Sequence, residues 1–214
     1  MAGMSQRMVR ARLEAGLEQM GLGLSAEERD RMLGFLDLLH RWNKAYNLTG
    51  VRDPGEMVPK HLLDSLSVAP YLFGDTILDL GTGPGLPGIP LAVTEPERAF
   101  YLLDSNGKKM RFVRQVAMDL GLKNVTAIQV RMESYLPERK FATIVSRAVT
   151  SVPDLLAAAA NMLARPGRLL AMKGLRPEND ELCSLESSPA TLKIHRLKVP
   201  FLVGERHLVD VRYG

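Results

Sequence analysis

Three glycines at alternate positions form the motif of this sequence that most directly indicates a bound ligand. The apolar run Thr76–Leu80 leads into Gly81-Thr82-Gly83-Pro84-Gly85, and a helix candidate begins near Ile89. A glycine-rich turn between a strand and a helix lets the backbone approach a ligand at the carboxyl edge of a sheet. Because the strand, the helix and the three glycines occur together, we interpret the turn as a ligand-binding loop.

The spacing of the glycines distinguishes between ligands. A dinucleotide fingerprint, G-x-G-x-x-G/A, needs glycine or alanine at its sixth position, where this sequence has Leu86. A P-loop is excluded because no Gly-Lys-Ser/Thr follows the turn. The pattern G-x-G-x-G resembles motif I of the S-adenosylmethionine-dependent methyltransferases. Asp104 ends the next predicted strand and would accept the ribose hydroxyls of an adenosyl group, although a dinucleotide enzyme would use the same acid.

Two classes of methyl acceptor are disfavoured by missing motifs. Methylation of an exocyclic amine usually goes with an (Asp/Asn/Ser)-Pro-Pro-aromatic motif, and the sequence has none. Methylation of a pyrimidine carbon requires a nucleophilic cysteine, and the one cysteine, Cys183, is away from any predicted strand end. A single cysteine also excludes an internal disulfide and an all-cysteine metal site. We therefore expect a packed thiol, no metal site and a cytoplasmic protein.

Basic side chains near the same edge are candidates for contact with RNA. Lys108, Arg111 and Arg114 recur every third residue along one predicted helix. This spacing fits either a solvated helix face or a ridge that binds RNA phosphates. Arg147 follows a strand that ends beside the glycine loop, so we expect it to contact the cofactor or RNA. Lys173 ends another strand at that edge and is a further candidate for RNA contact.

Two histidine-containing motifs are interpreted mainly as structural. His61 and Asp64 lie one turn apart on a predicted helix, which is close enough for a hydrogen bond between them. Arg206 and His207 begin a predicted strand, where such residues are usually structural. Arg206 is nevertheless kept among the candidates for RNA contact.

The segment before the glycine loop is predicted to be helical. An apolar stripe over Val9–Met20 has the periodicity of a helix, and Ser25–Glu28 form a capping box that begins a second one. The apolar face of this second helix ends with Trp42 and Tyr46, which we expect in the core. The other predicted elements here are a turn at Asp53-Pro54-Gly55 and a helix over Lys60–Val68.

After Gly74, short β-rich runs alternate with helical stretches, which predicts βαβ units and a parallel sheet. Only Pro200–Arg206 separates the last two strands, and this gap suits a hairpin but not a crossover. We predict an α/β, Rossmann-like class I methyltransferase domain over residues 71–214, mostly parallel and doubly wound with an antiparallel edge strand, and a helical extension over residues 1–70 packed on it. The predicted strands are Thr76–Leu80, Ala99–Leu103, Val125–Val130, Ala142–Val145, Arg168–Met172, Thr191–Val199 and His207–Tyr213, and the predicted helices are Ile89–Val93, Lys108–Leu120 and Pro153–Ala164.

Composition indicates a globular protein, and the mild net positive charge does not by itself indicate a nucleic-acid partner. The chain has 214 residues, of which 46% are hydrophobic and 24% charged, as expected for a globular protein with one main core. No run approaches the roughly 18 apolar residues of a membrane-spanning helix. The formal net charge is +4, divided as −1 over residues 1–75, +2 over residues 76–140 and +3 over residues 141–214. The basic excess therefore accompanies the predicted binding edge.

Six short motifs together indicate a family. They are Trp42-Asn43-Lys44-Ala45-Tyr46-Asn47-Leu48-Thr49, Lys60-His61-Leu62-Leu63-Asp64-Ser65, Gly81-Thr82-Gly83-Pro84-Gly85-Leu86-Pro87-Gly88, Leu102-Leu103-Asp104-Ser105, Ser146-Arg147-Ala148 and Gly204-Glu205-Arg206-His207. In this order they resemble the bacterial RsmG family, formerly called glucose-inhibited division protein B. The resemblance runs from about Leu36 to Val209. The first twenty residues match least, so no site is carried over there.

The resemblance implies an enzyme that transfers a methyl group from S-adenosylmethionine to N7 of one guanine of 16S ribosomal RNA near the decoding region, with S-adenosylhomocysteine as the product. Guanine N7 has an in-plane lone pair and no proton to lose, so we expect no general base and assign no catalytic residue. The implied partner is 16S rRNA, the 30S subunit or an assembly intermediate. We expect a monomer with no DNA or membrane partner.

The resemblance also implies site residues. Gly81, Leu86, Met132, Glu133 and Arg147 occupy the family's cofactor-binding positions, with Met132 and Glu133 flanking the adenine, and the His61 motif borders the substrate pocket. Together with the residues chosen above, the predicted cofactor set is Gly81, Thr82, Gly83, Gly85, Leu86, Asp104, Ser105, Met132, Glu133 and Arg147, and the predicted RNA set is Lys108, Arg111, Arg114, Arg147, Lys173, Arg206 and His61.

Two other functions stay open at this point. A methyltransferase acting on a small molecule or a protein would need an acceptor pocket with a base or a metal, and the sequence shows neither. A cofactor-binding ribosome assembly factor without turnover would keep the same fold. The intact glycine loop and Asp104 argue against this second function without deciding it.

Overall fold

A computed structural model describes residues 2–147, 151–177 and 190–214 of the chain. Its seven strands form one sheet in the order β3-β2-β1-β4-β5-β7-β6. The first five strands pair in parallel, whereas β7 is antiparallel to both β5 and β6. The prediction of a mostly parallel sheet with an antiparallel edge is confirmed. The strands are β1 (Thr76–Leu80), β2 (Ala99–Asp104), β3 (Val125–Gln129), β4 (Phe141–Arg147), β5 (Leu163–Lys173), β6 (Thr191–Arg196) and β7 (His207–Tyr213).

The helices precede the sheet or connect its parallel strands. No helix in the described part of the chain is long and apolar enough to cross a bilayer. The predicted capping box is present, because the Ser25 hydroxyl and the Glu28 carboxylate each accept a backbone amide of the other residue. The α-helices are α1 (Ala2–Met20), α2 (Ala26–Tyr46), α3 (Pro54–Met57), α4 (Asp64–Leu66), α5 (Gly88–Thr94), α6 (Gly107–Asp119) and α7 (Val152–Ala159), and a π-helical turn over Val58–Leu63 joins α3 to α4.

The strand order determines where a ligand can bind. β1 pairs with β2 on one side and with β4 on the other, so the order of the strands along the chain reverses between β1 and β4. Ligands of doubly wound sheets bind outside the carboxyl ends of the strands at such a reversal. Because β7 runs antiparallel to β5, with Lys173 opposite His207, the start of β7 lies at this same edge.

The N-terminal helices pack on one face of the sheet. One hydrophobic cluster contains Leu13 of α1 and Phe35 of α2 together with Phe100 of β2 and Phe112 of α6. A second cluster on the other face contains Leu155 of α7. The side chains of the first helices therefore belong to the same core as those of the sheet.

Three local predictions are wrong. The helix predicted over Pro153–Ala164 ends at Ala159, because the Phe141 amide donates to the Met162 carbonyl at 2.8 Å and this pairing begins β5. The turn predicted at Asp53-Pro54-Gly55 is the start of α3, where the Asp53 side chain accepts the Glu56 amide at 3.0 Å. Tyr46 is 43% exposed rather than in the core. Cys183 and Ala148 lie outside the described residues.

Candidate functional site

The glycine loop lies at the carboxyl end of β1 and is held against the end of β2. The Gly81 amide donates to the Leu103 carbonyl at 2.9 Å. Gly83 and Gly85 have φ angles of +59° and +89°, a left-handed conformation that residues with a side chain disfavour. A Cβ on Gly85 would lie 2.5 Å from Ile89 Cγ1. The close packing of the loop on α5 therefore requires glycine at this position.

A buried carboxylate connects both ends of this loop. Asp79 Oδ2 accepts the Thr82 hydroxyl at 2.6 Å and the Gly88 amide at 2.7 Å. Burial raises the pKa of Asp79 to about 6, and the two hydrogen bonds oppose this shift. Asp79 is absent from the predicted site, although an acid inside the apolar run of β1 is a signal that could have identified it, since charged residues are rarely buried without partners.

Asp104 is oriented between the glycine loop and α6. Its Oδ2 accepts the Gly83 amide at 2.9 Å, and its Oδ1 accepts the Asn106 amide at 2.8 Å. A carboxylate oxygen has lone pairs for more than one hydrogen bond. Both oxygens can therefore accept a hydroxyl group of a ligand in addition to these amides.

A cavity of about 430 Å³ lies between the glycine loop, Asp104 and the segment after β3. It brings together nine of the ten predicted cofactor residues. Gly85 is the exception, since it is buried against α5. Residues that line the cavity without having been predicted include Lys109 and Arg131. The nine are Gly81, Thr82, Gly83, Leu86, Asp104, Ser105, Met132, Glu133 and Arg147.

Arg147 connects this cavity to a buried ion-pair network. Its Nη1 donates to Asp64 Oδ2 and to the Lys60 carbonyl, both at 3.1 Å. The other oxygen of Asp64 accepts a hydrogen bond from Arg206 Nε at 3.0 Å. Asp64 is buried, whereas the side chains of Arg147 and Arg206 are 20% and 29% exposed. One carboxylate thus holds two guanidinium groups at the carboxyl edge of the sheet.

His61 is buried and has a partner other than the predicted one. It is 5% exposed, and its Nε2 lies 3.0 Å from Thr49 Oγ1. The predicted bond to Asp64 is wrong because the Asp64 carboxylate faces the two arginines. Burial, with the nearby charge of Arg147, lowers the pKa of His61 to about 4, so the ring is neutral at pH 7. The structure does not place His61 among the exposed candidates for RNA contact.

The other predicted RNA residues lie at two places along the edge. Lys108, Arg111 and Arg114 are exposed and line one shallow depression of about 690 Å³. None of the three forms an ion pair with another residue of the described ranges, so their charges are available to an anion. Lys173 is half-buried at the end of β5.

A larger cavity of about 740 Å³ between α1 and α2 shares no residue with the first. Two of the charged side chains that line it are paired, Arg10 with Asp30 at 2.7 Å and Asp37 with Arg41 at 3.1 Å, and its lining includes neither a glycine-rich loop nor the end of a strand. We therefore assign the ligand to the cavity at the glycine loop. Over residues 2–147, 151–177 and 190–214, no group of three or more His, Cys, Asp and Glu side chains is arranged to hold a metal ion.

Proteins of known family resemble the chain over most of its length. A family model described as rRNA small subunit methyltransferase G matches residues 28–209. A protein of Methylococcus capsulatus named ribosomal RNA small subunit methyltransferase G is 49% identical over 200 residues, which cover 94% of this chain and 97% of that protein. A protein of the same name from Vibrio vulnificus is 48% identical over 202 residues, which cover 94% and 95%.

Solved structures with similar folds are methyltransferases of several kinds. Magnesium protoporphyrin IX methyltransferase of Synechocystis, with bound S-adenosylmethionine, has a TM-score of 0.60 at 19% identity, covering 89% of this chain and 98% of that one. An rRNA methylase of Streptococcus thermophilus has a TM-score of 0.52 at 16% identity, covering 71% and 94%. These likenesses confirm the predicted class I methyltransferase fold.

Proposed function

The chain belongs to the rRNA small subunit methyltransferase G family, and from this premise we propose that it methylates N7 of one guanine of 16S ribosomal RNA near the decoding region. Family membership and fold make it an S-adenosylmethionine-dependent rRNA methyltransferase. The nucleotide and the position methylated are the proposal. They are what the family resemblance implies, and the residues of the cavity support them.

The donor set of the cavity fits S-adenosylmethionine. Its volume of about 430 Å³ lies within the roughly 300–1,000 Å³ usual for small-molecule sites. Asp104 would hold the two ribose hydroxyls, Met132 and Glu133 would flank the adenine, and Arg147 supplies a cation for the carboxylate of the ligand. When bound, S-adenosylmethionine supplies an electrophilic methyl group on a positively charged sulfur.

The observation that carries the N7 assignment is the lack of a free general base at the cavity. Among the described residues that line it there is no histidine, cysteine or tyrosine. The two acids that line it are assigned to the cofactor, Asp104 to the ribose hydroxyls and Glu133 to the adenine. A hydroxyl acceptor needs a group that takes its proton, whereas guanine N7 has a lone pair and loses no proton. The protein then has to position the base rather than move a proton, and orientation alone can supply a large part of the rate enhancement.

The charges around Asp64 support the same acceptor. Methyl transfer to N7 leaves a positive charge on the purine, and unbalanced cations aimed at the reacting atoms would oppose it. Asp64 offsets the charges of Arg147 and Arg206 through hydrogen bonds of 3.1 and 3.0 Å. We infer that Arg147 clamps the cofactor carboxylate or an RNA phosphate.

The partner and the state of the enzyme are also proposed. The exposed basic side chains of Lys108, Arg111 and Arg114 support binding to phosphates, and Lys173 and Arg206 extend this basic edge. We propose 16S rRNA, the 30S subunit or an assembly intermediate as the acceptor, and a cytoplasmic monomer as the enzyme. The core shared by α1, α2 and the sheet supports residues 1–70 as an extension that packs on the methyltransferase domain.

Transfer of labelled methyl groups tests the proposed function. The enzyme is incubated with methyl-tritiated S-adenosylmethionine and with unmethylated 30S subunits, naked 16S rRNA or no RNA. We expect label in the RNA, recovered after digestion as 7-methylguanosine. Label in another nucleoside would refute the N7 assignment. Binding to the subunit without methyl transfer would indicate a ribosome assembly factor. Label in protein or in a small molecule would indicate a methyltransferase that acts on those acceptors.

A further inference from the structure

An exposed surface of mixed apolar and basic character lies beside the site and has no part in the function proposed above. We define this surface, the rim, by Leu175, Arg176, Lys198, Phe201 and Val203. Leu175 is 78% exposed, Val203 98% and Phe201 42%. Scattered apolar residues are common on protein surfaces, but a group of large ones marks an interaction site more often.

The sheet brings the two segments of the rim to one place. Lys173 at the end of β5 lies opposite His207 at the start of β7. The Leu197 amide donates to the Arg206 carbonyl at 2.8 Å, which closes the segment between them into a hairpin loop. A Cβ on Gly174 would lie 3.7 Å from Arg206 Nη1. Both segments therefore leave the sheet side by side at its carboxyl edge.

The ion-pair network connects the rim to the cofactor cavity. Arg206 lies at the base of the hairpin loop, and its Nε donates to Asp64 at 3.0 Å. Asp64 in turn accepts a hydrogen bond from Arg147, which lines the cavity. A nucleotide chain whose target base enters the cavity would therefore pass close to the rim.

Two apolar side chains of the hairpin loop, Phe201 and Val203, are exposed to solvent. Phe201 has a φ of +62°, which is rare for a bulky residue, and the Arg12 guanidinium lies 5.5 Å from its ring centroid. Arg176 and Lys198 are exposed, whereas the acid of the loop, Glu205, pairs with Arg196 at 3.3 Å. Among the described residues of these two segments, the unpaired charges beside the apolar side chains are therefore positive.

Building on the proposed function, we propose that the rim binds the unstacked RNA nucleotides that flank the target guanine. An enzyme that acts on a base takes it out of the stack, which exposes the ring faces of its neighbours. Aromatic and aliphatic side chains cover such faces, and basic side chains hold the phosphates between them. Arg12 already lies over one face of the Phe201 ring, so Leu175, Val203 and the exposed part of Phe201 cover the base faces. Arg176 and Lys198 bind phosphates.

Photo-crosslinking identifies the occupant of the rim directly. A benzophenone amino acid replaces Val203, which is 98% exposed, and in a control replaces Met118, which is 70% exposed at the far end of α6. Each protein is irradiated with unmethylated 30S subunits. We expect the probe at position 203 to crosslink to 16S rRNA within a few nucleotides of the methylated guanine, and the probe at position 118 to give no such product. A crosslink to a ribosomal protein, or none, overturns the proposal.

Kinetics of surface variants provide the second measurement. We expect Leu175→Ser/Val203→Ser to raise KM for the 30S subunit about tenfold, with unchanged affinity for S-adenosylmethionine and an unchanged salt dependence, since neither side chain binds a phosphate. Arg176→Ala/Lys198→Ala should instead lower the slope of log affinity against log salt by about 0.7 for each single-strand phosphate that is no longer neutralised. If the wild type transfers methyl groups while the apolar variant behaves like Met118→Ser, the rim proposal fails and the enzyme assignment stands. If the wild type transfers no methyl group but crosslinks to 16S rRNA through position 203, the rim proposal stands and the enzyme assignment fails.

Discussion

Substitution of Asp64 by asparagine tests whether the two arginines at the site depend on one buried carboxylate. Asp64 accepts hydrogen bonds from Arg147 at 3.1 Å and from Arg206 at 3.0 Å. Asparagine keeps the size of the side chain and one acceptor oxygen, but it removes the charge and turns an NH₂ donor towards one guanidinium. Two neighbouring cations are then left without their counter-ion.

The magnitude follows from the burial of the three groups. Removal of one partner from a buried ion pair costs about 3–5 kcal/mol, and a hydrogen bond to a charged group contributes about 1.5–3 kcal/mol. Because 20% of the Arg147 side chain and 29% of the Arg206 side chain remain exposed, water offsets part of this loss. We expect the free energy of unfolding of Asp64→Asn to fall by about 2–4 kcal/mol.

Urea denaturation followed by the fluorescence of Trp42, the one tryptophan, measures this loss. The matched control is Asp37→Asn, whose ion pair with Arg41 at 3.1 Å is more than half exposed on both sides, so its loss should stay below about 1 kcal/mol. Calorimetric titration should show weaker binding of S-adenosylmethionine to Asp64→Asn and unchanged binding to Asp37→Asn. A loss below about 1 kcal/mol in Asp64→Asn, with unchanged cofactor affinity, would refute the role of the network.

Three further predictions concern the loop and the basic helix. Folding raises the pKa of Asp79 from 3.8 to about 6, so the stability that protonated Asp79 contributes is complete below pH 3.8 and is lost as the pH rises through 6. Between pH 4 and 7 the unfolding free energy of the wild type should therefore fall by up to about 3 kcal/mol relative to that of Asp79→Asn. Parallel pH profiles of the two proteins would contradict this prediction. Gly85→Ala should destabilise by about 1–3 kcal/mol more than Gly121→Ala, because both glycines have positive φ but only Gly85 has a neighbour within 4 Å of a Cβ; equal shifts in Tm would show that the clash is relieved. Replacing Lys108, Arg111 and Arg114 by alanine should reduce the slope of log affinity for RNA against log salt by about 0.7–0.9 for each phosphate that these side chains neutralise. The control Lys123→Ala, at an exposed lysine, should leave this slope unchanged. The same slope in the triple variant and in the control would mean that the three side chains are only solvated.

The parts of the fold that local signals determine could be predicted from the sequence. The alternation of apolar runs and helical stretches was enough to predict the parallel sheet, and the short gap before β7 to predict its hairpin. The boundary after α7 could not be predicted in this way, because the alanine-rich stretch favours helix while pairing of Phe141 with Leu163 ends it. Helix propensity is a local quantity, and this strand pairing is a contact between distant parts of the chain.

Some residues of the site could likewise be predicted from the sequence, and others could not. The glycine loop and Asp104 are recognisable because their residue types and positions at strand ends carry the chemistry. The Asp64 network is not, since its arginines are 83 and 142 residues away, and spacing suggested the neighbouring His61 instead. Asp79 is an intermediate case: its position in an apolar strand is visible in the sequence, but its two loop partners are known only from the structure.

A crystal structure of the protein with S-adenosylhomocysteine tests the cofactor assignment most directly. We predict the adenosyl group between the glycine loop and Met132, with the ribose hydroxyls within hydrogen-bond distance of the two Asp104 oxygens. Binding of the product in the cavity between α1 and α2, or a ribose that does not contact Asp104, would contradict the assignment.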